Sequence, residues 1–186
     1  MNSTISLGYW HRIPSPLGTL LLTATERGLS GLFMEGHSPL FRPQTKGRPE
    51  AARFSETTRQ LEAYFKGTRK TFELDLDLIG TPFQKQVWKE LHNIPYGTTI
   101  SYGELACRIG NPQASRAVGL ANGRNPVSII VPCHRVIGAD GRLTGYGGGL
   151  DNKRALLELE GNRSGTGYAP LLPIASTGQP SMASLH

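Results

Sequence analysis

Between Phe72 and Leu78 the chain alternates strictly: Phe72, Leu74, Leu76 and Leu78 are apolar, and Glu73, Asp75 and Asp77 lie between them. A period of two puts successive side chains on opposite faces of an extended chain, so this pattern predicts a strand with one acidic, solvated face. Earlier, Ser15-Pro16-Leu17-Gly18 has turn composition and Thr19 to Thr25 is an apolar, threonine-rich run suited to a strand. Leu29 to Met34 repeats that character across Glu26-Arg27-Gly28, and the two runs read as a hairpin. Gly36 to Pro49 is rich in Gly, Pro and Arg and reads as a loop. From Ala51 to Lys66 the period changes: Phe54, Leu61, Tyr64 and Phe65 recur near helical spacing, and Gly67 supplies the stop.

From residue 81 onward, helix start signals are explicit. Thr81-Pro82-Phe83-Gln84 offers an N-cap Thr, a Pro at the first helical position and a Gln that closes a capping box; its helix should end near Pro95-Tyr96-Gly97. Ser101-Tyr102-Gly103-Glu104 is a second capping box, opening a short helix to Ile109. Gly110-Asn111-Pro112 reads as a turn, with Asn111 capping a helix from Pro112 to about Ala121. Asp151 is placed to cap a last helix that ends at Gly161. The pattern therefore predicts an α+β protein (mixed α/β): a sheet-containing lobe over 1–80, a mainly helical domain over 81–161, and a disordered tail over 162–186.

Tyr102–Ile109 and Pro112–Ala121 match the lengths of a helix-turn-helix, although an ordinary helical corner accounts for the spacing equally well. The second helix tilts the reading, because Gln113-Ala114-Ser115-Arg116-Ala117-Val118-Gly119 carries small side chains and one Arg. A major-groove reader usually displays several long polar side chains. Small residues permit close approach to a narrow groove, with Arg116 able to insert into the base stack, which predicts minor-groove binding with little sequence specificity.

Charge agrees with that placement. The 186 residues carry a formal charge of +6, and between Lys85 and Arg135 six basic residues face two acidic ones, so a polyanion surface is expected in the second half. The N-terminus has no basic segment followed by an apolar one, and no apolar run approaches the roughly 20 residues of a membrane helix. With only Cys107 and Cys133 as cysteines, a reducing compartment is the simpler reading, and the chain is expected to be soluble, cytoplasmic and monomeric.

Cys133 follows the apolar run Ser128-Ile129-Ile130-Val131-Pro132. A buried free Cys is usually an inert small hydrophobe. Three features oppose that here: Pro132 fixes the chain before the thiol, His134 and Arg135 follow at once, and a Gly-rich loop (Thr144-Gly145-Tyr146-Gly147-Gly148-Gly149) comes soon after. A thiol becomes a nucleophile as thiolate, a neighbouring His can take its proton, and that His needs an orienting acceptor, for which Glu160 is a candidate. Cys107, on the first helix of the pair, reads as structural.

Residues 81–161 resemble the C-terminal domain of the O6-alkylguanine-DNA alkyltransferases (methylated-DNA–protein-cysteine methyltransferases). The resemblance rests on Thr81-Pro82-Phe83-Gln84 with Val87-Trp88, Ile94-Pro95-Tyr96-Gly97, Ile100-Ser101-Tyr102-Gly103, Ser115-Arg116-Ala117-Val118-Gly119, Asn125-Pro126, Val131-Pro132-Cys133-His134-Arg135-Val136, Gly145-Tyr146-Gly147-Gly148-Gly149 and Glu160-Gly161, in order along the segment. Residues 1–80 resemble the family's smaller, ribonuclease H-like lobe more loosely, through Ser15-Pro16-Leu17-Gly18 and the strands after it. The length is similar to that of the bacterial stand-alone (Ogt-type) members.

The resemblance implies direct reversal of O6-methylguanine, and O4-methylthymine, in double-stranded DNA. Cys133 would accept the alkyl group once, without a cofactor. His134 would deprotonate it through a water, Glu160 would hold His134, and Asn125 would brace the turn before the thiol. Tyr102 would rotate the nucleotide's phosphate and donate to the base, and Arg116 would fill the space it leaves. The carbonyls of Cys133 and Val136, the amide of Gly147 and the ring of Tyr146 would form the base pocket. Ala114, Ser115, Gly119, Arg124 and Arg135 would join Arg116 at the DNA. Some relatives bind zinc in the N-terminal lobe; with His11 and His37 but no Cys there, no metal is expected. Ser128 stands where some relatives have Pro, which leaves tolerance of bulky adducts open. Against a lesion binder lacking the acceptor stands Cys133 itself; against an activator of the adaptive response, the missing Cys-rich zinc domain. A thiol hydrolase built on Cys133, His134 and Glu160 would differ by turning over.

Overall fold

The computed structural model describes residues 8–36 and 47–161. The tail over 162–186, most of the Gly36–Pro49 loop and His37 lie outside them. β1 (Tyr9–Ile13), β2 (Leu20–Thr25) and β3 (Gly28–Met34) form an antiparallel meander, and β4 (Arg48–Pro49) adds a short parallel edge to β1, giving the order β3-β2-β1-β4. The expected hairpin is β2–β3, and the Ser15–Gly18 turn joins β1 to β2 through reciprocal backbone bonds of 3.1 Å. β1 has no counterpart in the sequence reading, because Tyr9-Trp10-His11-Arg12 lacks alternation. β2 reads as a continuous apolar run because it is an inner strand, with Leu20 through Ala24 all buried.

The Phe72–Leu78 alternation is kept, but the segment is not a full strand. It meets the sheet at one point, where the Leu29 amide donates to the Asp75 carbonyl and the Asp77 amide to the Leu29 carbonyl, both at 2.8 Å. The free edge of β3 is shared: farther along, the Leu32 amide donates to the Pro126 carbonyl at 2.8 Å, so the second half of the chain takes the rest of that edge. The acidic face is not wholly solvated either, since Asp77 accepts from Thr25 Oγ1 at 2.7 Å and pairs with Arg27.

α1 (Ser55–Phe65) follows a 3-10 turn (Ala52–Phe54) and buries Phe54, Leu61 and Tyr64, with Gly67 at φ 71° ending it. Buried Gln60 exchanges two 2.9 Å hydrogen bonds with the Glu73 backbone, imitating a strand partner and holding the extended segment against the helix. α2 (Pro82–His92) opens with the complete capping box expected at Thr81 and Gln84 and ends three residues before Pro95. Its Trp88 Nε1 donates to the Ala121 carbonyl at 2.8 Å, fastening it to the helix pair.

β5 (Ile100–Ser101) leads directly into α3 (Tyr102–Arg108), where Ser101 Oγ accepts from the Glu104 amide at 3.0 Å. The return bond of the box is replaced, because the Glu104 carboxylate pairs with Arg108 at 2.6 Å. Asn111 makes no side-chain cap; a 3-10 turn (Pro112–Ala114) intervenes, and α4 runs Ser115–Gly123. β6 (Val136–Ile137) pairs parallel with β5, Ile100 against Val136 and Ser101 against Ile137. α5 (Leu150–Leu159) is capped by Gly149 at φ 87°, not by Asp151. Asp151 sits inside the first turn, where its charge meets the positive end of the helix, and it pairs with Arg154 at 3.1 Å.

One apolar core joins the halves: Leu20, Leu22 and Leu32 from the sheet and Tyr64 from α1 share a cluster with Trp88, Val127, Val136 and Leu156. Among the described residues no helix is long and apolar enough to cross a membrane.

Candidate active site around Cys133

The approach to the thiol is built by Asn125, just beyond α4. Its buried Nδ2 donates to the Val131 carbonyl at 2.7 Å and its Oδ1 accepts from the Val127 amide at 3.0 Å. This bracket encloses Ile129, which is fully buried at φ 73°. A β-branched residue in the left-handed region costs about 1–3 kcal/mol, so the surrounding contacts must hold it there. Pro132 then leads into a 3-10 turn (Cys133–Arg135), in which the Cys133 amide donates to the Val131 carbonyl at 2.8 Å and the Arg135 amide to the Pro132 carbonyl at 3.0 Å. The parallel ladder, Ile100 against Val136 and Ser101 against Ile137, sets the strand that follows this turn beside the start of α3.

Cys133 is 3% exposed. Burial pushes its thiol pKa up, while hydrogen bonds from Asn125 and Ser128 and the charge of Lys153 pull it back. Ser128 also lies against the Tyr146 phenol, whose pKa burial drives well above its ordinary value, so Tyr146 remains a neutral hydroxyl.

His134 and Glu160 meet as the sequence anticipates, with His134 Nε2 2.9 Å from Glu160 Oε1. Burial lowers the imidazole pKa, against the opposing pull of Glu160. Burial by itself would raise the Glu160 carboxyl; the hydrogen bonds and charges of His134 and Arg135 outweigh it and hold the group well below the usual carboxylate range. An ionised Glu160 requires Nε2 to be the donor, which leaves Nδ1 as the basic nitrogen. That atom is buried and has no protein partner among the described residues.

Arg135 corrects one expectation. It is not presented on the protein surface. It is buried, with Nε 2.9 Å and Nη2 2.8 Å from the two oxygens of Glu160 and Nη1 on the Ile94 carbonyl at 2.5 Å. All its outer nitrogens are committed inward, because the ionised Glu160 would otherwise be an uncompensated buried charge. Arg116 and Arg124 are exposed as expected, at the two ends of α4, and Arg116 has no ion pair or hydrogen bond among the described residues. Ala114, Ser115 and Gly119 are half-buried; a Cβ on Gly119 would stand 3.7 Å from the Tyr102 ring, an ordinary contact, so α4 packs close to Tyr102 at this point. Cys107 is exposed on α3 and lies outside the core.

Tyr102 Oη lies 3.4 Å from the Thr144 carbonyl, linking α3 to the Gly-rich loop. Gly147 is half-buried and its amide takes no protein acceptor among the described residues. A Cβ on Gly148 would come within 2.4 Å of Met34 Sδ and 3.0 Å of the Tyr146 ring, so glycine is what lets the loop close over Tyr146. The Val136 carbonyl is not free: it accepts from Lys153 Nζ at 2.6 Å, leaving one lone pair for a base.

Lys153 and Tyr64 are the residues sequence reasoning missed. Lys153 is 0% exposed, donates also to the Thr144 carbonyl at 2.7 Å, and has its pKa lowered to about 8 by burial. Its signal was available, since Lys153, Leu156 and Leu157 share the buried stripe of α5. Tyr64 of α1 donates to Glu160 Oε1 at 2.7 Å, from 96 residues away, and nothing local in the sequence announces that contact.

Comparison with known proteins gives this geometry its relatives. Residues 82–162 match the family model described as the DNA binding domain of 6-O-methylguanine DNA methyltransferase, and residues 8–78 match its ribonuclease-like domain. A methylated-DNA–protein-cysteine methyltransferase of Methanosarcina acetivorans is 55% identical over 155 residues, covering 83% of this chain and 99% of that protein. One of Mycobacterium tuberculosis is 54% identical over 158 residues, covering 84% and 94%. The crystal structure of Mycobacterium tuberculosis OGT in complex with DNA superposes with a TM-score of 0.78 at 54% identity, over 83% of this chain and 94% of that one. With both family models in sequence order and more than half of the aligned positions identical, the chain belongs to the 6-O-methylguanine DNA methyltransferase family.

Proposed function

We propose that this protein repairs alkylated DNA by transferring the alkyl group of O6-methylguanine, and of O4-methylthymine, to the sulfur of Cys133. The observation that carries the reading is the buried His134–Glu160 pair, 2.9 Å long, on the residue that follows a buried thiol, in a turn whose next strand pairs with the one that opens α3. Double-stranded DNA is the partner. Arg116, exposed and unpaired among the described residues, and the small residues Ala114, Ser115 and Gly119 favour the minor groove and little sequence specificity, with Arg124 on a phosphate. The alkylated O6 lies inside the base stack, so the nucleotide must be flipped out, at a cost of a few kcal/mol, with Arg116 filling its place. Residues 81–161 carry the DNA surface and the acceptor, and the lobe over 1–80 supports them.

The chemistry follows from the protonation states. His134 Nδ1 takes the Cys133 proton through a bridging water, and Glu160 stabilises the imidazolium that forms. The thiolate attacks the alkyl carbon in line, the carbon–O6 bond breaks, and its electron pair leaves on guanine. Tyr102 and the Gly147 amide donate to the charge developing on the base, and Tyr146 walls the pocket. Lys153, the buried cation acting on the thiol, favours the thiolate. Asn125 holds the thiol's approach. The product is a thioether that water does not cleave, so each molecule acts once and needs no cofactor. A thiol that must stay reduced fits a cytoplasmic monomer, as do the two free cysteines.

Incubation with a duplex containing O6-methylguanine should add the mass of one methyl group per protein molecule. Cys133→Ser should abolish it. Sustained turnover of an ester or amide substrate would overturn this reading in favour of a thiol hydrolase.

A further inference from the structure

We propose that Tyr64 is a positioning residue for alkyl transfer: its phenol, carried by α1, orients the Glu160 carboxylate toward His134, so that the sheet lobe completes the relay. The inference rests on the relay described under the proposed function and adds a member from outside the acceptor domain.

Glu160 has two oxygens with different duties. Oε2 accepts from Arg135 Nε at 2.9 Å and from the Gly97 amide at 3.2 Å. Oε1 accepts from His134 Nε2 at 2.9 Å, Arg135 Nη2 at 2.8 Å and Tyr64 Oη at 2.7 Å. The oxygen that holds the imidazole is therefore the one Tyr64 shares. Packing alone would not require the hydroxyl. The Tyr64 ring is wholly buried, with its centroid 5.3 Å from that of Phe72 and 6.1 Å from that of Tyr96, contacts a phenylalanine would also make. The neighbouring Tyr96 sends its own hydroxyl to the Leu159 carbonyl at 3.0 Å instead, so the same interface offered a backbone acceptor. Burial and the nearby Glu160 charge push the Tyr64 phenol far above its ordinary pKa, which keeps it a donor throughout.

The charged and titratable groups around His134 and Glu160 are Arg135 and Cys133 from the same turn, Lys153 from α5, Tyr96 from the segment after α2, Tyr64 from α1, and Tyr146 from the Gly-rich loop. Removing the Tyr64 hydroxyl leaves more negative charge on Oε1, which favours imidazolium. His134 then stays protonated to higher pH and fails as a base there.

The test is the single-turnover rate of methyl transfer from O6-methylguanine duplex DNA between about pH 5 and about pH 9, for the parent, Tyr64→Phe and Tyr96→Phe. Tyr64→Phe should move the acid limb upward by about half to one pH unit, a rate about three- to tenfold lower on that limb, with DNA affinity unchanged. Tyr96→Phe should leave the limb in place. A Tyr64→Phe profile superimposed on the parent's, or an equal shift in Tyr96→Phe, overturns the inference. Should Tyr64→Phe fail to fold, 3-fluorotyrosine at position 64 keeps the shape and donates more strongly, and the limb should move down; an unmoved limb has the same overturning force. Failure of the relay itself is distinct, because Glu160→Gln would then leave the rate unaltered.

Discussion

Lys153 Nζ donates at 2.6 Å to the carbonyl of Val136, three residues after the acceptor cysteine, and the ammonium is fully buried there. No carboxylate pairs with it among the described residues, and Cys133 is the one group whose charge raises its pKa. With its second bond to Thr144, it also ties the Gly-rich loop to the strand after the thiol. A cation kept in a dry site with only a thiol for a counter-charge favours the thiolate there.

Lys153→Met should therefore slow methyl transfer at neutral pH by about tenfold or more, with partial recovery as the pH is raised and the thiol ionises unaided. It should also lower stability by roughly 1–3 kcal/mol, because the buried Val136 carbonyl and the partly buried Thr144 carbonyl lose their donor. A rate–pH profile and a denaturant titration read the two effects separately, and an unchanged alkaline limb would count against the charge role.

The acid side of the stability curve is set by His134 and Glu160. The His134 pKa is lowered in the folded state, so on acidification the unfolded chain takes up its proton first and folding is disfavoured below about pH 6.5. The Glu160 pKa is also lowered, so its stabilisation is present above the ordinary carboxylate range and fades as the pH falls through and below it. Both act in the same direction, and the melting temperature should fall steadily from about pH 6.5 downward. Glu160→Gln should flatten the lower part of that fall.

The same substitution has a larger effect at neutral pH. It strands the Arg135 guanidinium, which is buried and bound to both Glu160 oxygens. Losing one partner of a buried pair costs about 3–5 kcal/mol. Methyl transfer should slow while affinity for undamaged duplex, measured by titration, stays near the parent's.

Arg116→Ala should behave in the opposite way. Its side chain is exposed and unpaired among the described residues, so unfolding free energy should change by no more than about 0.5 kcal/mol. Repair in duplex DNA should weaken more than reaction with the free modified base, since only the duplex requires flipping. Equal losses on the two substrates would remove the wedge role.

Asn125→Ala should uncouple the approach to the thiol. It deletes the bonds to Val131 and Val127 that bracket Ile129 at φ 73°. With two buried backbone groups orphaned and a strained residue released, a loss of roughly 2–4 kcal/mol is expected, together with slower transfer. Thermal melting and the single-turnover rate check this.

Local signals carried much of the molecule. Helix starts at Thr81 and Ser101, the β2–β3 hairpin, the stop at Gly67 and the nucleophile-base order Cys133-His134 are all properties of short stretches, where backbone preference and nearest-neighbour chemistry decide the outcome. Glu160 could be named as the partner of His134 because it closes the last helix in a family-like position. Its 2.9 Å approach, however, depends on how α5 packs against the turn that holds His134.

What the tertiary structure alone decided concerns charge and edges. Arg135 looks like a surface cation in the sequence, yet it is buried and neutralised by Glu160, and the inward stripe that holds Lys153 does not say that two carbonyls beside a thiol receive its ammonium. Phe72–Leu78 has the alternation of a strand but obtains one ladder contact, because Val127 competes for the edge of β3. Tyr64 reaches Glu160 only once the lobes share a core. A hydrophobic period reports which face turns inward; which partner waits there is a long-range matter, set by the packing of segments nearly a hundred residues apart.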